Sequence, residues 1–300
     1  MLPNENKLFT ATRLEGDVTE RWLDLRREGI GGSDVSAIMG ISPWVSPVEV
    51  WMDKTGRVPH RDISGKEAVA MGTELEETVL GMYRRRHPER RATRCNAVLR
   101  SIQRPWAQAS LDGVVRDPER GWGVLEIKTG SRDSEWAESV PDHYVAQVTH
   151  YMSVTGYRFA DVVALIGDHG LHYHEYRLEW DDEDMEAVVS SVDEFWNEFV
   201  VKDVMPALVS TLPSEGKALY EIYRSSDGDL EPMESDEADN LAAEMSQLKQ
   251  DYKDIGERLS ECSNGLKRLI GEHKGIITTD HVVTWVRTEK RDMGVRVKVK

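Results

Sequence analysis

Two hydrophobic periodicities alternate along residues 67–206, and their order restricts the chain to few architectures. Apolar residues at spacings of three and four predict helices over 67–86, 141–156 and 185–206. Strand-type segments lie before and after the second of these helices, at 94–100, 107–115, 123–129, 159–166 and 171–178. This order predicts an α/β fold in which a central mixed β-sheet is flanked by helices.

The regions outside this block are shorter or less regular. Residues 20–28 predict a short helix, and the glycine-rich turn 29–34 leads into another helix. We predict one core domain over 1–209. A connecting region follows over 210–237, where proline, glycine, serine and aspartate are frequent, although the segment LYEIY inside it is apolar enough to dock.

The last region, 238–300, combines a heptad-patterned helix with a small β tail. The heptad positions are occupied by Leu241, Met245, Leu248, Tyr252, Ile255, Leu259, Cys262, Leu266 and Leu269. Such a helix either pairs with another chain or folds back on the core. Gly256 and Gly265 weaken a long isolated helix, which favours a helix that docks on another surface, in a partner or in the core.

Composition excludes several classes of protein. No apolar run approaches the roughly 20 residues of a membrane span, and the first residues lack a secretory signal, so we expect a cytoplasmic protein without a membrane partner. Cys95 and Cys262 are too few for a disulfide framework or a four-cysteine zinc or iron–sulfur site. Any metal is therefore expected to be bound by oxygen or nitrogen.

The charge distribution bears on whether DNA is a partner. A net charge of −16 opposes nucleic-acid binding, but eight arginines and one acid lie between Arg84 and Arg104. This strip fits a solvated helix end and turn as well as a surface that faces DNA. The sequence leaves both interpretations open.

The sharpest local pattern joins two strand-type segments. Asp112 lies on the first, and Glu126 and Lys128 lie two residues apart on the second, so their side chains share one face. Pairing of the strands would bring two carboxylates and an ammonium together. Hard oxygen ligands of this kind bind Mg²⁺, which activates water for phosphodiester hydrolysis, and a nearby lysine assists the attack.

An isolated pattern of this type is frequent by chance and then describes exposed acids with a cross-strand ion pair. Here the flanking sequence VLEIKT is apolar, which places charge on a mostly buried strand, where it is costly without a function. Glu76 and Gln147 are further polar residues on otherwise apolar helices. Each alone more often has a local structural role.

Four separated segments in a fixed order resemble the YqaJ-like viral recombinase family. They are WLDLRREGIGGSDVSAIMG with its continuation to KTG, then MGTELEETVLGMYRRR, then ASLDGVV with GVLEIKTG, and VPDHYVAQVTHYMSVTG. The family is related to phage lambda exonuclease within the PD-(D/E)XK nuclease superfamily, and the resemblance covers about residues 20–206. It implies a restriction-endonuclease-like core, which the C-terminal heptads and β tail extend beyond the lambda enzyme.

The resemblance implies roles for the residues that match its motifs. Asp112 and Glu126 correspond to the metal-binding carboxylates, the Ile127 carbonyl to a further ligand and Lys128 to the catalytic lysine. Glu76 matches an acid in the first core helix that assists metal or water binding.

Three further positions match family motifs. Gln147 corresponds to a glutamine that contacts the reactive region, while Arg26 and Ser33 correspond to residues that receive a 5′-phosphate. Arginine beside backbone N–H groups at a helix start is suited to that anion.

The activity implied is a Mg²⁺-dependent DNA exonuclease, with Mn²⁺ as a substitute, that degrades linear double-stranded DNA 5′ to 3′ in bacteriophage-type homologous recombination. The expected partners are DNA with a free end and a single-strand annealing protein, and family members that form a ring of three subunits suggest a homo-oligomer. The alternatives are an endonuclease of the same superfamily and a non-catalytic DNA-binding or scaffold protein. A further alternative is a related nuclease with an iron–sulfur cluster, but such an enzyme needs four cysteines and this chain has two.

Overall fold

The computed structural model describes residues 7–13, 18–59, 65–209, 212–225, 228, 230 and 232–300. The chain divides into two compact units, Met1–Ser225 and Ser226–Lys300. The elements of the described residues are β1 (Phe9–Arg13), α1 (Val18–Arg27), α2 (Gly32–Ile38), α3 (Pro47–Lys54), α4 (Glu67–Arg86), β2 (Arg91–Arg94), β3 (Ala97–Ser101), β4 (Gln108–Ala109), β5 (Gly113–Asp117), β6 (Gly121–Gly130), α5 (Asp142–Thr155), β7 (Phe159–Ile166), β8 (His172–Glu179), α6 (Asp182–Glu194), α7 (Pro213–Ile222), α8 (Asp236–Ile270), β9 (Gly275–Ile277), β10 (His281–Thr288) and β11 (Arg291–Val299).

A five-stranded mixed sheet in the order β2-β5-β6-β7-β8 organises the first unit. Strands β6 and β7 are parallel because α5 carries the chain back between them, and the other neighbours are antiparallel. Residues that alternate along β7 pack on opposite faces: Val163 contacts the cluster that contains α4, whereas Val162 contacts the cluster that contains α5. The central mixed sheet flanked by helices confirms the predicted fold class.

Helix α5 has clear sequence-encoded ends. Pro141 precedes its first turn, and Gly156 follows its last with a φ of +74°, a left-handed conformation that favours glycine. Helices α2, α3, α6 and α7 share another apolar cluster with Ile30 and Phe195. This cluster fixes the Gly29–Asp34 turn beside α5.

Two of the predicted strands are wrong in detail. The predicted strands 94–100 and 107–115 each divide in two: β2 and β5 join the central sheet, whereas β3 and β4 form a separate small sheet with β1. The chain changes sheets near Cys95, whose backbone N–H donates to the Asp112 carbonyl. No glycine or proline marks that change, so the periodicity alone runs through it.

Helix bounds also differ from the predictions in places. Helix α4 begins and ends as predicted, but Met71 is 51% exposed, and the buried residues of the helix, Val79, Leu80 and Tyr83, all lie in its second half. The helix predicted to close at Pro206 continues from α6 as a π-helical turn over Phe195–Val200 and ends there. Part of the predicted connecting region forms α7, and Ala218 on it is buried.

The second unit contains the 35-residue helix α8 and the antiparallel sheet β9–β11. These elements confirm the predicted long C-terminal helix and small β tail. The heptad residues from Leu241 to Leu259 are largely exposed, whereas Ile270 at the last turn is buried. Within the described residues, none of the helices is both long and apolar enough to cross a bilayer.

Candidate active site

The strand registers bring Asp112, Glu126 and Lys128 to one end of the β5–β6 pair. Gly113 at the start of β5 pairs with Leu125, so the following residues of β6 extend beyond β5. The Asp112 side chain takes the next place, because its Oδ2 accepts a 2.7 Å hydrogen bond from the Ile127 N–H. Glu126 and Lys128 share the face that points toward α5, and Ile127 packs on the α4 side.

Glu126 is the centre of this group and is only 2% exposed. Its Oε1 accepts hydrogen bonds from Lys128 Nζ at 2.6 Å and from Gln147 Nε2 at 2.8 Å. Lys128 Nζ also donates to Gln147 Oε1 at 3.2 Å. Among the described residues, Glu126 Oε2 has no hydrogen-bond partner, so one oxygen of a buried carboxylate is free to bind a ligand.

The electrostatics of the group follow from burial and from two neighbouring acids. Burial, and then the Asp112 carboxylate, raise the pKa of Glu126 to about 8. Burial also raises the pKa of Asp112, although Lys128 opposes the effect. Burial alone would lower the pKa of Lys128, but Glu126 and Asp112 outweigh it and raise that pKa. The arrangement favours a cation beside the two carboxylates.

Glu76 lies on α4 at the border of this group. Burial and the Asp112 carboxylate raise the pKa of Glu76, and the Arg94 guanidinium opposes that shift. Its Oε2 accepts a short hydrogen bond from Arg94 Nη2. The side chain therefore faces the group through an ion pair with arginine rather than as a free carboxylate.

Arg26 and Ser33 meet at the start of α2. Arg26 Nη2 donates to Ser33 Oγ at 2.8 Å and to Asp34 Oδ1 at 3.1 Å. Asp34 also pairs with the buried Lys54 Nζ at 2.8 Å. Burial raises the pKa of Asp34, but Lys54 and Arg26 outweigh it and lower the pKa to about 2. The exposed Ser33 hydroxyl and a guanidinium edge are thus held side by side.

Gly32 connects this pair to the acidic group. A Cβ at Gly32 would lie 2.4 Å from the Tyr151 ring and 2.9 Å from Gln147 Cγ, so only glycine allows the close approach. Tyr151 Oη in turn accepts a 2.9 Å hydrogen bond from Gln147 Nε2. The α2 turn and the Glu126 group therefore share one wall, which α5 provides.

Sequence reasoning missed several residues around the site. Their spacing indicates only that Tyr151 and Tyr144 lie on the apolar face of α5, yet the Tyr144 ring lies 4.6 Å from Lys128 Nζ. The 55%-exposed Trp44 contacts His143 at 4.8 Å and Tyr144 at 6.4 Å between ring centroids. The spacing from Gln147 to Tyr144 and Tyr151, three and four residues, placed all three on one helix face and was the available signal.

The arginine strip is less free than the sequence suggests. Five of its eight arginines form ion pairs with acids of the same chain, namely Arg84, Arg90, Arg94, Arg100 and Arg104. Arg86 lies over the Tyr173 ring at 3.8 Å. Most of the strip thus stabilises the fold.

The donor set fits a hard cation that keeps bound water. Within the described residues, no three His, Cys, Asp or Glu side chains are grouped to hold a metal ion. Mg²⁺ is usually bound by one or two carboxylates and completes its octahedron with water. Asp112 and the free oxygen of Glu126 satisfy that requirement, and Lys128 and Gln147 donate to the other oxygen of Glu126.

Two comparisons of the sequence identify the family. The model of the YqaJ-like viral recombinase domain matches residues 21–158. The protein "Uncharacterized protein YqaJ" of Bacillus subtilis (strain 168) is 34% identical over 260 residues, which are 85% of this chain and 77% of that protein. This chain belongs to the YqaJ-like viral recombinase family.

A solved structure shows the same fold as this family member. The crystal structure of an alkaline exonuclease (LHK-Exo) from Laribacter hongkongensis aligns with a TM-score of 0.50 and 22% identity, over 67% of this chain and 100% of that chain. At this identity the likeness shows the fold alone. The shared fold agrees with the predicted core, and family membership supports the sequence-based prediction of a nuclease of phage-type recombination.

Proposed function

We propose that this protein is a Mg²⁺-dependent exonuclease that degrades linear double-stranded DNA from a 5′ end, with Mn²⁺ as a substitute. The observation that carries the proposal is the convergence of Asp112, Glu126, Lys128 and Gln147 beside the Arg26–Ser33 pair. The activity is assigned to the core predicted over 1–209 and to the cytoplasm of a bacterial host.

The chain supplies two carboxylates and one lysine at the point of hydrolysis. Mg²⁺ bound by Asp112, Glu126 and the Ile127 carbonyl would lower the pKa of a bound water and offset charge on the phosphate. Lys128 donates hydrogen bonds into the same space and is placed to orient the attacking water or stabilise the developing anion. The Gln147 amide fixes the positions of the Glu126 and Lys128 side chains, because it donates to the first and accepts from the second.

The end of the DNA is recognised by the second group of residues. Arg26 and Ser33 present N–H and O–H donors that suit a terminal 5′-phosphate. Because Gly32 packs on Tyr151 and Gln147, a phosphate held there is fixed relative to the hydrolytic group. This coupling favours exonuclease over endonuclease action, and we assign Glu76, through its pair with Arg94, to adjusting the charge at Asp112.

Purified protein with Mg²⁺ should shorten linear duplex and leave covalently closed circles intact. A duplex labelled at one end and carrying a 5′-phosphate should be degraded faster than its 5′-hydroxyl counterpart, and Arg26→Ala should remove that preference. Nicking of closed circles would replace this proposal with an endonuclease. DNA binding without metal-dependent cleavage would replace it with a binding protein.

Lys128→Ala tests the catalytic lysine. We expect at least about a 100-fold loss of turnover with DNA binding retained, because the variant removes a donor at the developing charge. Lys290→Ala, on an exposed turn of the second unit, is the matched control and should keep full turnover. Equal turnover in the two variants would remove the lysine from the mechanism.

Two further proposals, a partner protein and an oligomeric state, depend on this nuclease activity. We propose that the single strand that remains after digestion passes to a single-strand annealing protein, and that the cores form a ring of three around DNA. Pull-down of an annealing protein encoded beside this chain, and sedimentation of the core bound to duplex, test these two points. Absence of either complex would leave nuclease activity as the function.

A further inference from the structure

Helix α8 exposes an apolar stripe on one face. The six side chains of this stripe, called the α8 seam, are exposed by 57–82%: Leu241, Met245, Leu248, Tyr252, Ile255 and Leu259. Their spacings alternate between four and three over about three heptads. A continuous apolar stripe of this size is unusual on a surface that meets only water.

The second unit does not itself cover the seam. Its small sheet meets the other end of the helix, where Ile270 is buried and Lys267 pairs with Asp292 at 2.6 Å. Most helical stability in proteins comes from packing of an apolar face. Gly256 and Gly265 each cost about 1 kcal/mol of helix stability, which makes a covering partner more necessary.

The chemistry of the helix excludes two kinds of partner. From Asp236 to Ile270 it carries eight acidic and five basic side chains. A net acidic surface repels DNA phosphates and anionic lipid headgroups. The seam therefore fits an apolar protein helix with compatible charges at its flanks.

We propose that the α8 seam forms a parallel, in-register coiled coil with α8 of another copy of this chain. In that arrangement the residue before each of the core positions Met245, Tyr252 and Leu259 faces the residue five further along the partner. Glu244 of each copy then faces Lys249 of the other copy, so the coil contains this attractive pair twice. Asp251 and Arg258 face uncharged residues, so no like charges meet.

The antiparallel alternative is less favourable. Superposing the exposed seam on itself in that direction places Leu241 opposite Leu259. The flanking positions then bring Glu244 against Arg258 twice, as many attractive pairs as in the parallel coil, but they also bring Lys249 against Lys249 and Asp251 against Asp251. Like charges at such positions destabilise the pair. The sequence therefore selects the parallel direction.

Cys262 distinguishes the two directions. It occupies the next core position after Leu259 and is exposed, whereas Cys95 is buried. In the parallel coil the two Cys262 thiols face each other across the core. In the antiparallel coil they are separated by about 36 Å along the axis, at about 1.5 Å per residue.

Oxidation of the full-length protein with diamide tests the proposal. Diamide takes up the two electrons and two protons released as two thiols become one disulfide. We expect a linked dimer on a non-reducing gel, which Cys262→Ser abolishes. A cysteine on the outer face, Glu257→Cys in the Cys262→Ser background, should link at least about ten times more slowly.

Charges introduced into the seam provide the matched comparison. Leu248→Glu with Ile255→Glu should reduce the Cys262-linked fraction at least about tenfold. Ala243→Glu with Gln250→Glu adds the same charges seven residues apart on the opposite face and should leave the fraction unchanged. Circular dichroism checks that both variants keep the folded core.

Three results would overturn the proposal. Absence of a Cys262-linked species in the wild-type protein excludes the parallel coil, even if sedimentation shows association. If the cysteine at position 257 links as fast as Cys262 does, the in-register arrangement of the two helices is excluded. Undiminished linking in the seam variant excludes the seam as the contact. Each outcome is independent of nuclease activity, which is measured separately on linear DNA.

Discussion

Soluble proteins usually bury apolar side chains and expose charged ones, and the two units depart from this in different ways. The first unit buries charged side chains, with Glu126 only 2% and Asp161 only 1% exposed. The second unit exposes apolar ones, up to 82% at Tyr252. Burying a charge without a partner costs free energy, and an apolar side chain exposed to water does not contribute the free energy that its burial would provide. Each departure therefore marks a place where the chain meets something else or carries an internal network.

Two acids in the first unit show how these explanations differ. Asp161 on β7 accepts from Arg177 Nε at 2.6 Å, from Arg177 Nη2 at 2.8 Å and from the Tyr83 hydroxyl, and Arg90 lies at 3.4 Å. Both of its oxygens are engaged. Glu126 keeps one oxygen without a partner among the described residues. The same degree of burial thus serves structure in Asp161, whereas in Glu126 we propose that it serves ligand binding.

Glu126→Gln should have the largest effect on activity. Loss of the charge that binds the cation should reduce turnover by at least about 1,000-fold, while binding to duplex is retained. Because burial and the Asp112 carboxylate raise the pKa of Glu126 to about 8, its charged form is disfavoured in the fold, and the melting temperature of the uncharged variant should stay equal or rise. Turnover on linear DNA and a thermal melt in metal-free buffer measure the two effects. Retained turnover would show that Glu126 is buried for structure alone.

Asp161→Asn should show the reverse. The variant removes the Asp161 charge and leaves Asp117 as the acid that still pairs with both Arg177 and Arg90, and breaking such a buried pair costs about 3 kcal/mol of unfolding free energy. Turnover per folded molecule should remain within about twofold of wild type. Urea unfolding and an active-site-normalised assay measure this. If Asp161→Asn lowered turnover and left the free energy of unfolding unchanged, the assignment of a structural role to Asp161 and a ligand-binding role to Glu126 would be wrong.

His150 provides a pH test of buried charge. It is fully buried, and its Nε2 donates to the carbonyls of Gln108 and Ile30, while Nδ1 has no partner among the described residues. Burial lowers its pKa to about 4. Its contribution is complete above pH 6.5 and is lost as pH falls toward 4, because the unfolded chain then binds the additional proton.

The loss over that window is at most about 3 kcal/mol. His150→Gln should therefore make the unfolding free energy less dependent on pH between 7 and 4.5 than in the wild-type protein. Urea titrations at matched pH values measure the two slopes. Identical slopes would mean that His150 becomes protonated inside the fold.

The sequence predicted the elements that carry strong local signals. Helices α4 and α5 were placed within a residue or two, since apolar spacing and flanking proline or glycine define them. The pairing of β5 with β6 was also predicted, because a turn-rich segment separates them. The spacing of Glu126 and Lys128 on one strand was enough to place both on one face.

What the sequence did not reveal depends on contacts between distant residues. The change of sheet near Cys95 has no local marker, and the ion pairs of Arg94 with Glu76 and of Arg100 with Glu28 join residues far apart in the chain. Tyr151 looked like a core residue because its apolar ring fits the helix face. Its contact with Gly32 arises only when α2 packs on α5.

Alanine at two glycines should act with opposite sign in the two units. Gly32→Ala places a methyl 2.4 Å from the Tyr151 ring, and we expect a loss of about 1–3 kcal/mol and at least about tenfold in turnover as Gln147 shifts. Gly256→Ala meets no atom within 4 Å and should stabilise α8 by about 1 kcal/mol. Thermal melts followed by circular dichroism measure both. A loss at Gly256 would indicate a tighter contact there than the second unit alone contains.

Trp44, in the first unit, is an exposed apolar side chain beside the buried charges. With His143 and Tyr144 it forms an aromatic path from the surface to Lys128, and a base stacked on an aromatic side chain contributes about 1–3 kcal/mol. Trp44→Ala should raise KM for linear duplex about tenfold with kcat little changed, and Trp44→Phe should recover most of it. A terminal abasic nucleotide should produce the same loss in wild type and no further loss in Trp44→Ala. Additive losses would mean that exposure of this ring, unlike that of the α8 seam, does not mark a binding surface.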